Sequence, residues 1–251
     1  MIIAIIIPFD TIGGAETFAL TLLKRQIVRK EISKIIFITF QTSKYHTKYS
    51  CPIKSEKLKH INLKYFGKYI NHIYVFICLF NFLITNKVNV VHSHLISAIY
   101  LSIFPLFFRK VKFVHTIHNQ AKHDLGSYKY SPHFFLRYIY YSQISSISIS
   151  ESVKKSIKRY YGLKTKLIYN GTDIFDHENN ELKKFNFLEN TKYFLAVGNT
   201  RLQKNYELLI DSFKIVSKNH NMKLLIIGAL VDNFKDVKIN TYEKFNIYFL
   251  G

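Results

Sequence analysis

Apolar runs alternating with amphipathic stretches place this 251-residue chain in the α/β class, as two successive strand–helix series. Three observations carry that expectation. Residues 2–7 form a strand without polar alternation, the pattern of a parallel strand covered on both faces. Helically spaced segments separate this run from later apolar runs, as strand–helix alternation in a parallel sheet requires. Residues 172–190 then break the pattern with Asp173, Asp176, Glu178, Asn179, Asn180 and Glu181, and a new strand begins at Tyr193. The break reads as a linker between a first domain over 1–172 and a second over 190–251.

The first series opens with the strand at 2–7 and a loop to Gly14. Residues 15–29 have helical spacing, with Phe18, Leu22 and Leu23 on one side. Strands are expected at 35–39 and 58–63, a very apolar helix at 68–84, a strand at 88–92 and a helix at 95–107. A strand at 111–117, a helix at 132–141 and a strand at 144–149 follow. Ser150 is placed to cap a helix running to Tyr161. A last strand at 164–169 closes on Asn170-Gly171, a turn signal. The second series has a strand at 193–197, a helix at 205–217, and strands at 223–227 and 247–250. Two Rossmann-like domains result. Three strands give the second a thin sheet with an unprotected edge, so it reads as incomplete.

Hydrophobic residues make up 48% and charged residues 21%, which argues for a folded core and against disorder. The formal charge of +20 attracts anionic partners: nucleic acid, an anionic membrane leaflet or a phosphorylated substrate. The lysines are dispersed and form no basic arm, which disfavours a nucleic-acid module. Cys51 and Cys78 fit no metal spacing or disulfide framework, consistent with a reducing cytoplasm. The apolar N-terminus lacks a basic leader and a cleavage site. The apolar run at 73–85 is interrupted by Asn81 and is shorter than the ~20 residues of a membrane-spanning helix.

Candidate chemistry sits where strands end. Gly13-Gly14-Ala15-Glu16 follows the first strand and opens a helix, so backbone N–H groups and a positive helix end face a ligand. Glu16 also suits the helix dipole. The arrangement is not Gly-x-Gly-x-x-Gly, which removes a dinucleotide fingerprint. His92-Ser93-His94 ends one strand, and His115 and His118 lie in and beyond the next. Parallel sheets bind ligands outside the carboxyl ends of their strands, so His118 is the strongest candidate there. His92 and His115 read as buried core histidines. Gly198 to Asn205 precedes the helix of the second series and places Arg201 and Lys204 where a diphosphate would meet a helix N-terminus. The serines at 148–152 lack a Gly-x-Ser-x-Gly elbow. No Asp-x-Asp pair exists to hold a metal against a diphosphate.

The ordered set Gly-Gly-Ala-Glu, Val-Val-His-Ser-His, His-Thr-Ile-His-Asn, Ser-Ile-Ser-Glu-Ser-Val-Lys-Lys, Ile-Tyr-Asn-Gly-Thr-Asp, Val-Gly-Asn-Thr-Arg-Leu-Gln-Lys-Asn and Leu-Leu-Ile-Ile-Gly covers nearly the whole chain. It resembles the family 4 retaining glycosyltransferases (glycosyltransferase group 1) of the GT-B fold. The resemblance implies an acceptor-side first domain, a nucleotide-sugar-binding second domain and a reaction in the cleft between them. It implies that Gly13 and Gly14 lie near the donor phosphates, that His118 contacts the donor sugar, and that Lys204 stabilises the leaving diphosphate. Arg201 and Asn205, in the same loop, are assigned to donor binding by their position. Glu16, His94, Asn170 and Asp173 fall on acceptor-side or interdomain positions. The family usually carries Arg where this chain has Asn199. It also continues past the third strand of the donor domain with a pair of glutamates and a helix that crosses back to the first domain.

These expectations define an enzyme that moves a sugar, with retention, from a nucleotide-sugar to a lipid-linked or surface-polysaccharide precursor. It would need no metal or cofactor and would work in the cytoplasm, with an anionic membrane surface as a further candidate partner. The alternative is a non-catalytic truncated remnant of such an enzyme.

Overall fold

The computed structural model describes residues 1–8, 13–41, 51–64, 70–121, 132–171, 191–234 and 240–250. The chain divides into two compact units, Met1–Ile174 and Phe175–Gly251.

The first unit holds strands β1 (Ile2–Pro8), β2 (Lys34–Phe40), β3 (Leu58–Leu63), β4 (Val90–His94), β5 (Lys112–Ile117), β6 (Ser145–Ser148) and β7 (Lys166–Leu167). All pair in parallel, in the order β3-β2-β1-β4-β5-β6-β7. The chain winds one way from β1 through β2 to β3, then returns to the other side of β1 at β4. The gap beyond the carboxyl ends of β1 and β4 is therefore a topological switch point, where open α/β sheets take their ligands.

Helix α1 (Gly14–Ile27) lies on one face of the sheet, because β1 alternates its side chains between two cores. Ile3, Ile5 and Ile7 pack with Ile35 and Phe37 against Ala19 and Leu23 of α1. Ala4 and Ile6 pack with Ile36, Ile38 and Phe40 on the opposite face. That second core is closed by α2 (Ile70–Thr85), α3 (Ser97–Tyr100), α4 (Phe104–Phe107), α5 (Pro132–Gln143) and α6 (Glu151–Tyr161). Ser150 caps α6 by accepting from the Val153 N–H at 3.2 Å, and left-handed Gly162 ends it.

Several boundaries differ from the sequence reading. β4 runs to His94, because pairing with β5 continues through the polar Ser93 and His94. The helix expected over 95–107 is two short helices. Leu95 adopts a left-handed φ of 55° that delays the start, and Pro105 fits only the first turn of a new helix. The strand expected over 164–169 keeps only Lys166 and Leu167 in the ladder.

The second unit has strands β8 (Lys192–Val197), β9 (Met222–Ile227) and β10 (Ile247–Phe249) in the parallel order β10-β9-β8. Helix α7 (Tyr206–Val216) connects β8 to β9 and buries Tyr206, Ile210 and Phe213 against Leu224 and Ile226. A short helix, α8 (Asn240–Glu243), precedes β10.

Candidate functional site

Two groups of residues lie beyond strand ends, one in each unit. In the first unit the switch point is lined by the start of α1 and the ends of β4 and β5. Gly13 is the residue before α1 and has ordinary extended backbone. A β-carbon there would meet the Glu16 carboxylate at 2.8 Å, so the missing side chain makes room for Glu16 folded back over the helix start. Glu16 holds the third helical position, where an acid suits both the unpaired N–H groups and the dipole. Gly14 has nothing within 4 Å of its missing side chain and is exposed, so the open approach is at Gly14.

The four histidines divide between the two faces of the sheet. His115 shares a 2.8 Å hydrogen bond from Nδ1 with Ser93 Oγ, which also bonds the Tyr140 hydroxyl at 3.0 Å. This group lies on the multi-helix face, where Tyr140 is fully buried. His92, His94 and His118 gather on the α1 face. His92 Nε2 meets Thr116 Oγ1 at 2.8 Å, its ring lies 4.4 Å from that of His94, and His94 Nδ1 meets His118 Nε2 at 3.0 Å. Phe18 of α1 packs edge-on against His94 and His118, with centroids 6.1 and 5.5 Å away.

Burial sets the charge of this cluster. It pushes the His118 imidazole down to about 4, and burial together with the nearby His118 pushes His92 to about 4. Burial first, and then the neighbouring imidazoles, hold His94 and His115 well below the ordinary range. All four rings are therefore neutral near pH 7 and act as hydrogen-bonding groups rather than cations. Leu95, next to His94, pays about 1–2 kcal/mol for its left-handed backbone. Such strain is tolerated where surrounding packing fixes a side chain in place. Among the described residues no group of three or more His, Cys, Asp or Glu is arranged to hold a metal ion.

In the second unit the loop from β8 to α7 carries Arg201 and Lys204, both exposed. Four supports that the sequence reading passed over hold this loop. A β-carbon on Gly228 would collide with the Gly198 carbonyl, so the loops after β8 and β9 touch backbone to backbone. The Tyr206 hydroxyl donates to Gly198 O at 2.8 Å, and Asn199 Oδ1 accepts from Ala229 N–H at 3.1 Å. Buried Thr200 accepts from Val231 N–H at 2.8 Å and donates to Val231 O at 3.0 Å. The visible signal was a glycine after each strand, Gly198 and Gly228. Asn205 has a left-handed φ of 51° and caps α7 by accepting from Leu208 N–H at 3.4 Å. Lys204 thus ends a 3-10 turn immediately before a helix N-terminus, where dipole and unpaired N–H groups favour an anion.

Of the remaining sequence candidates, Asn170 is exposed after β7, and Asp173 lies outside the described residues.

Comparison with known proteins fits this architecture. The chain matches solved glycosyltransferase structures over its whole length. Alr3699/HepE of Anabaena, solved in complex with UDP, superimposes with a TM-score of 0.68 at 14% identity, covering 100% of this chain and 69% of that one. The lipopolysaccharide outer core galactosyltransferase WaaB gives 0.64 at 17% identity, covering 100% and 68%. Sucrose-phosphate synthase of Thermosynechococcus elongatus gives 0.68 at 14%, covering 100% and 70%. At these identities the likeness establishes the fold, the GT-B arrangement of a seven-stranded and a smaller parallel sheet. No curated protein sequence matches the chain. The Glycosyltransferase Family 4 profile matches residues 12–174 and that of the Glycosyl transferases group 1 matches residues 177–251. With the first match covering well over half of the sequence, the chain belongs to Glycosyltransferase Family 4.

Proposed function

We propose that the protein transfers a sugar from a nucleotide-sugar to a hydroxyl of a lipid-linked or surface-polysaccharide precursor, with retention of anomeric configuration. The observation that carries this reading is the β8–α7 loop, where exposed Arg201 and Lys204 precede the start of a helix. Breaking a sugar–phosphate bond leaves negative charge on the nucleoside diphosphate. Fixed cations and N–H donors aimed at that charge lower the barrier, and the backbone of the loop that carries Arg201 and Lys204 is held by the bonds of Tyr206, Thr200 and Asn199. Lys204 supplies a compact charge and Arg201 a forked one. Gly14 offers an open backbone approach in the first unit, and His118 offers a neutral ring to the sugar. The reading draws no step through a metal or cofactor. The UDP and UDP-glucose complexes of HepE support a nucleotide-sugar as donor, and the WaaB likeness supports a surface glycan as acceptor.

The same reading places the enzyme against an anionic membrane in the cytoplasm. No described helix is long and apolar enough to cross a bilayer. Ile70, Ile73, Ile77 and Ile84 nevertheless form an exposed stripe along α2, and Leu106 and Phe107 extend it through the Phe80–Phe107 contact. Residues 57–123 contain nine Lys or Arg and no Asp or Glu, including exposed Lys87, Arg109, Lys110 and Lys112. An apolar stripe with a basic surround suits an anionic leaflet, where each nearby cation adds about 1 kcal/mol.

A thermal-shift screen of UDP- and GDP-sugars tests donor binding, and absence of saturable binding would favour a non-catalytic remnant. Lys204→Ala should lower turnover by roughly 10²–10³-fold, the effect of losing one preorganised charge-stabilising donor. Unchanged turnover would remove Lys204 from the mechanism. Anomeric NMR of the product reads retention directly. Sedimentation with phosphatidylglycerol vesicles should weaken in Ile73→Ser/Ile77→Ser and with added salt; equal sedimentation of variant and parent would dismiss the α2 stripe.

A further inference from the structure

His94 and His118 share a single hydrogen bond, Nδ1 to Nε2 at 3.0 Å. Both rings are neutral near pH 7, as burial requires, so each carries one ring hydrogen. Two proton arrangements satisfy the shared contact, and they are not equivalent.

If His118 donates from Nε2, His94 must carry its own hydrogen on Nε2. That position is buried and meets no hydrogen-bonding atom among the described residues. The arrangement would strand an N–H in the interior, in a site packed with the rings of His92 and Phe18. If instead His94 donates from Nδ1, its Nε2 is left as a bare lone pair. Native interiors strand donors more rarely than they under-use acceptors, a rule established for backbone groups whose cause, the loss of a strong water contact, is shared by the ring N–H. His118 then keeps its only hydrogen on Nδ1, which no described residue bonds.

We propose that His94 is a positioning residue that fixes His118 as the Nδ1–H tautomer, so that His118 presents a hydrogen-bond donor to the ligand at the switch point. The ligand group facing it is then an acceptor, an oxygen of a sugar hydroxyl or a phosphoryl group. His118 has no free lone pair in this state, because Nε2 is occupied by the His94 hydrogen. It cannot take a proton from an acceptor hydroxyl, so its contribution is orientation and hydrogen bonding. The left-handed turn at Leu95 and the packing of Phe18 across both rings hold His94 in the geometry this requires. The functional part of the inference rests on the reading of His118 as a donor-sugar contact; the tautomer does not.

Two-bond 1H–15N NMR of the full chain labelled with 15N-histidine reads the tautomer with no ligand present, with His118 assigned by its loss in His118→Asn. The parent protein should show a protonated Nδ1 and an unprotonated Nε2 at His118. His94→Leu should move His118 toward the Nε2–H form. His94→Asn, whose side-chain amide can place an N–H near the former Nδ1, should keep the parent pattern. An Nε2–H signal at His118 in the parent overturns the proposal, and so does an unchanged pattern in His94→Leu. Should the leucine variant not fold, the parent and asparagine spectra still decide. In a glycosyl-transfer assay with the donor found by thermal shift, His94→Leu should lose roughly tenfold in kcat/KM, the worth of one hydrogen bond. His94→Asn should recover most of that loss; equal loss in both would overturn the positioning role while leaving the transferase reading intact. Failure of the Lys204→Ala test would damage the transferase reading without touching the tautomer.

Discussion

Strands β1 and β8 both read as apolar runs that open a strand–helix series, yet the structure treats them differently. Ile5, Ile6 and Ile7 of β1 have no exposed surface, whereas Phe194, Leu195 and Val197 of β8 are 51%, 54% and 69% exposed. β1 pairs with β2 on one side and β4 on the other, with α1 on one face and the multi-helix core on the opposite face. Among the described residues β8 pairs only with β9, and Phe194 meets Phe213 of α7 edge-on. An apolar strand is buried by its neighbours, not by its own composition. Residues of equal hydrophobicity therefore carry unequal free energy in the two units.

The largest consequence is mechanical stability of the cores. Ile6→Ala should cost about 2–5 kcal/mol, the range for emptying a packed interior site. Leu195→Ala should cost less than about 0.5 kcal/mol, as exposed substitutions do. Urea unfolding followed by hydrogen exchange resolves the two units, and equal losses would break the contrast.

Acid should separate the units next. The folded His118 sits at about 4 against an ordinary 6.5. Its depressed value means the unfolded chain binds more protons between these limits, so stability is complete above pH 6.5 and falls as pH drops toward 4. The shift corresponds to about 3 kcal/mol for this one ring. His92 is displaced in the same direction and interacts with His118, so the two losses do not simply add. Exchange protection of β4 and β5 should therefore fall across this window. The second unit, whose one described histidine, His220, is exposed, should change less. His118→Asn should flatten the response of the first unit, and an equally steep response in that variant would dismiss His118 as its source.

Helix starts give the smallest contrast. Asn205 both caps α7 and adopts a left-handed backbone, so Asn205→Ala loses the cap, about 1 kcal/mol, and adds about 1–2 kcal/mol of strain. Asn205→Gly escapes the strain and should cost only a few tenths. Ser150 caps α6 from extended backbone, so Ser150→Ala should cost about 1 kcal/mol and carry no strain. Thermal melts of the four single variants, with Ser150→Gly as the fourth, should separate alanine from glycine more at 205 than at 150.

Much of the fold was legible because period and punctuation agree. The unalternating strand at the N-terminus and the cap at Ser150 each state a local rule that tertiary packing respects. Legibility failed where pairing overrode composition. Ser93 and His94 are polar, and their pairing with β1 and β5 carries the strand past the apolar run expected to end at residue 92. The late start of the expected 95–107 helix arises from a left-handed leucine, which no propensity announces. In the candidate sites, Gly14, Lys204 and His118 were readable as residues following strand ends. The supports beneath them were not, because Thr200 with Val231, Gly198 with Gly228, and His94 with His118 are pairs separated by 24 to 31 positions.

The sequence by itself determined the α/β class, the division into two strand–helix series, and the placement of glycines, histidines and cations just beyond strand ends. These follow from period, turn chemistry and charge, which act over a few residues. Only the tertiary structure decided which side of the sheet each histidine takes, that Gly13 yields its space to Glu16, and that β8 stands open while β1 is enclosed. Those outcomes depend on which strands become neighbours and on the single-residue alternation of the pleat, where a shift of one position exchanges core for ligand-facing surface.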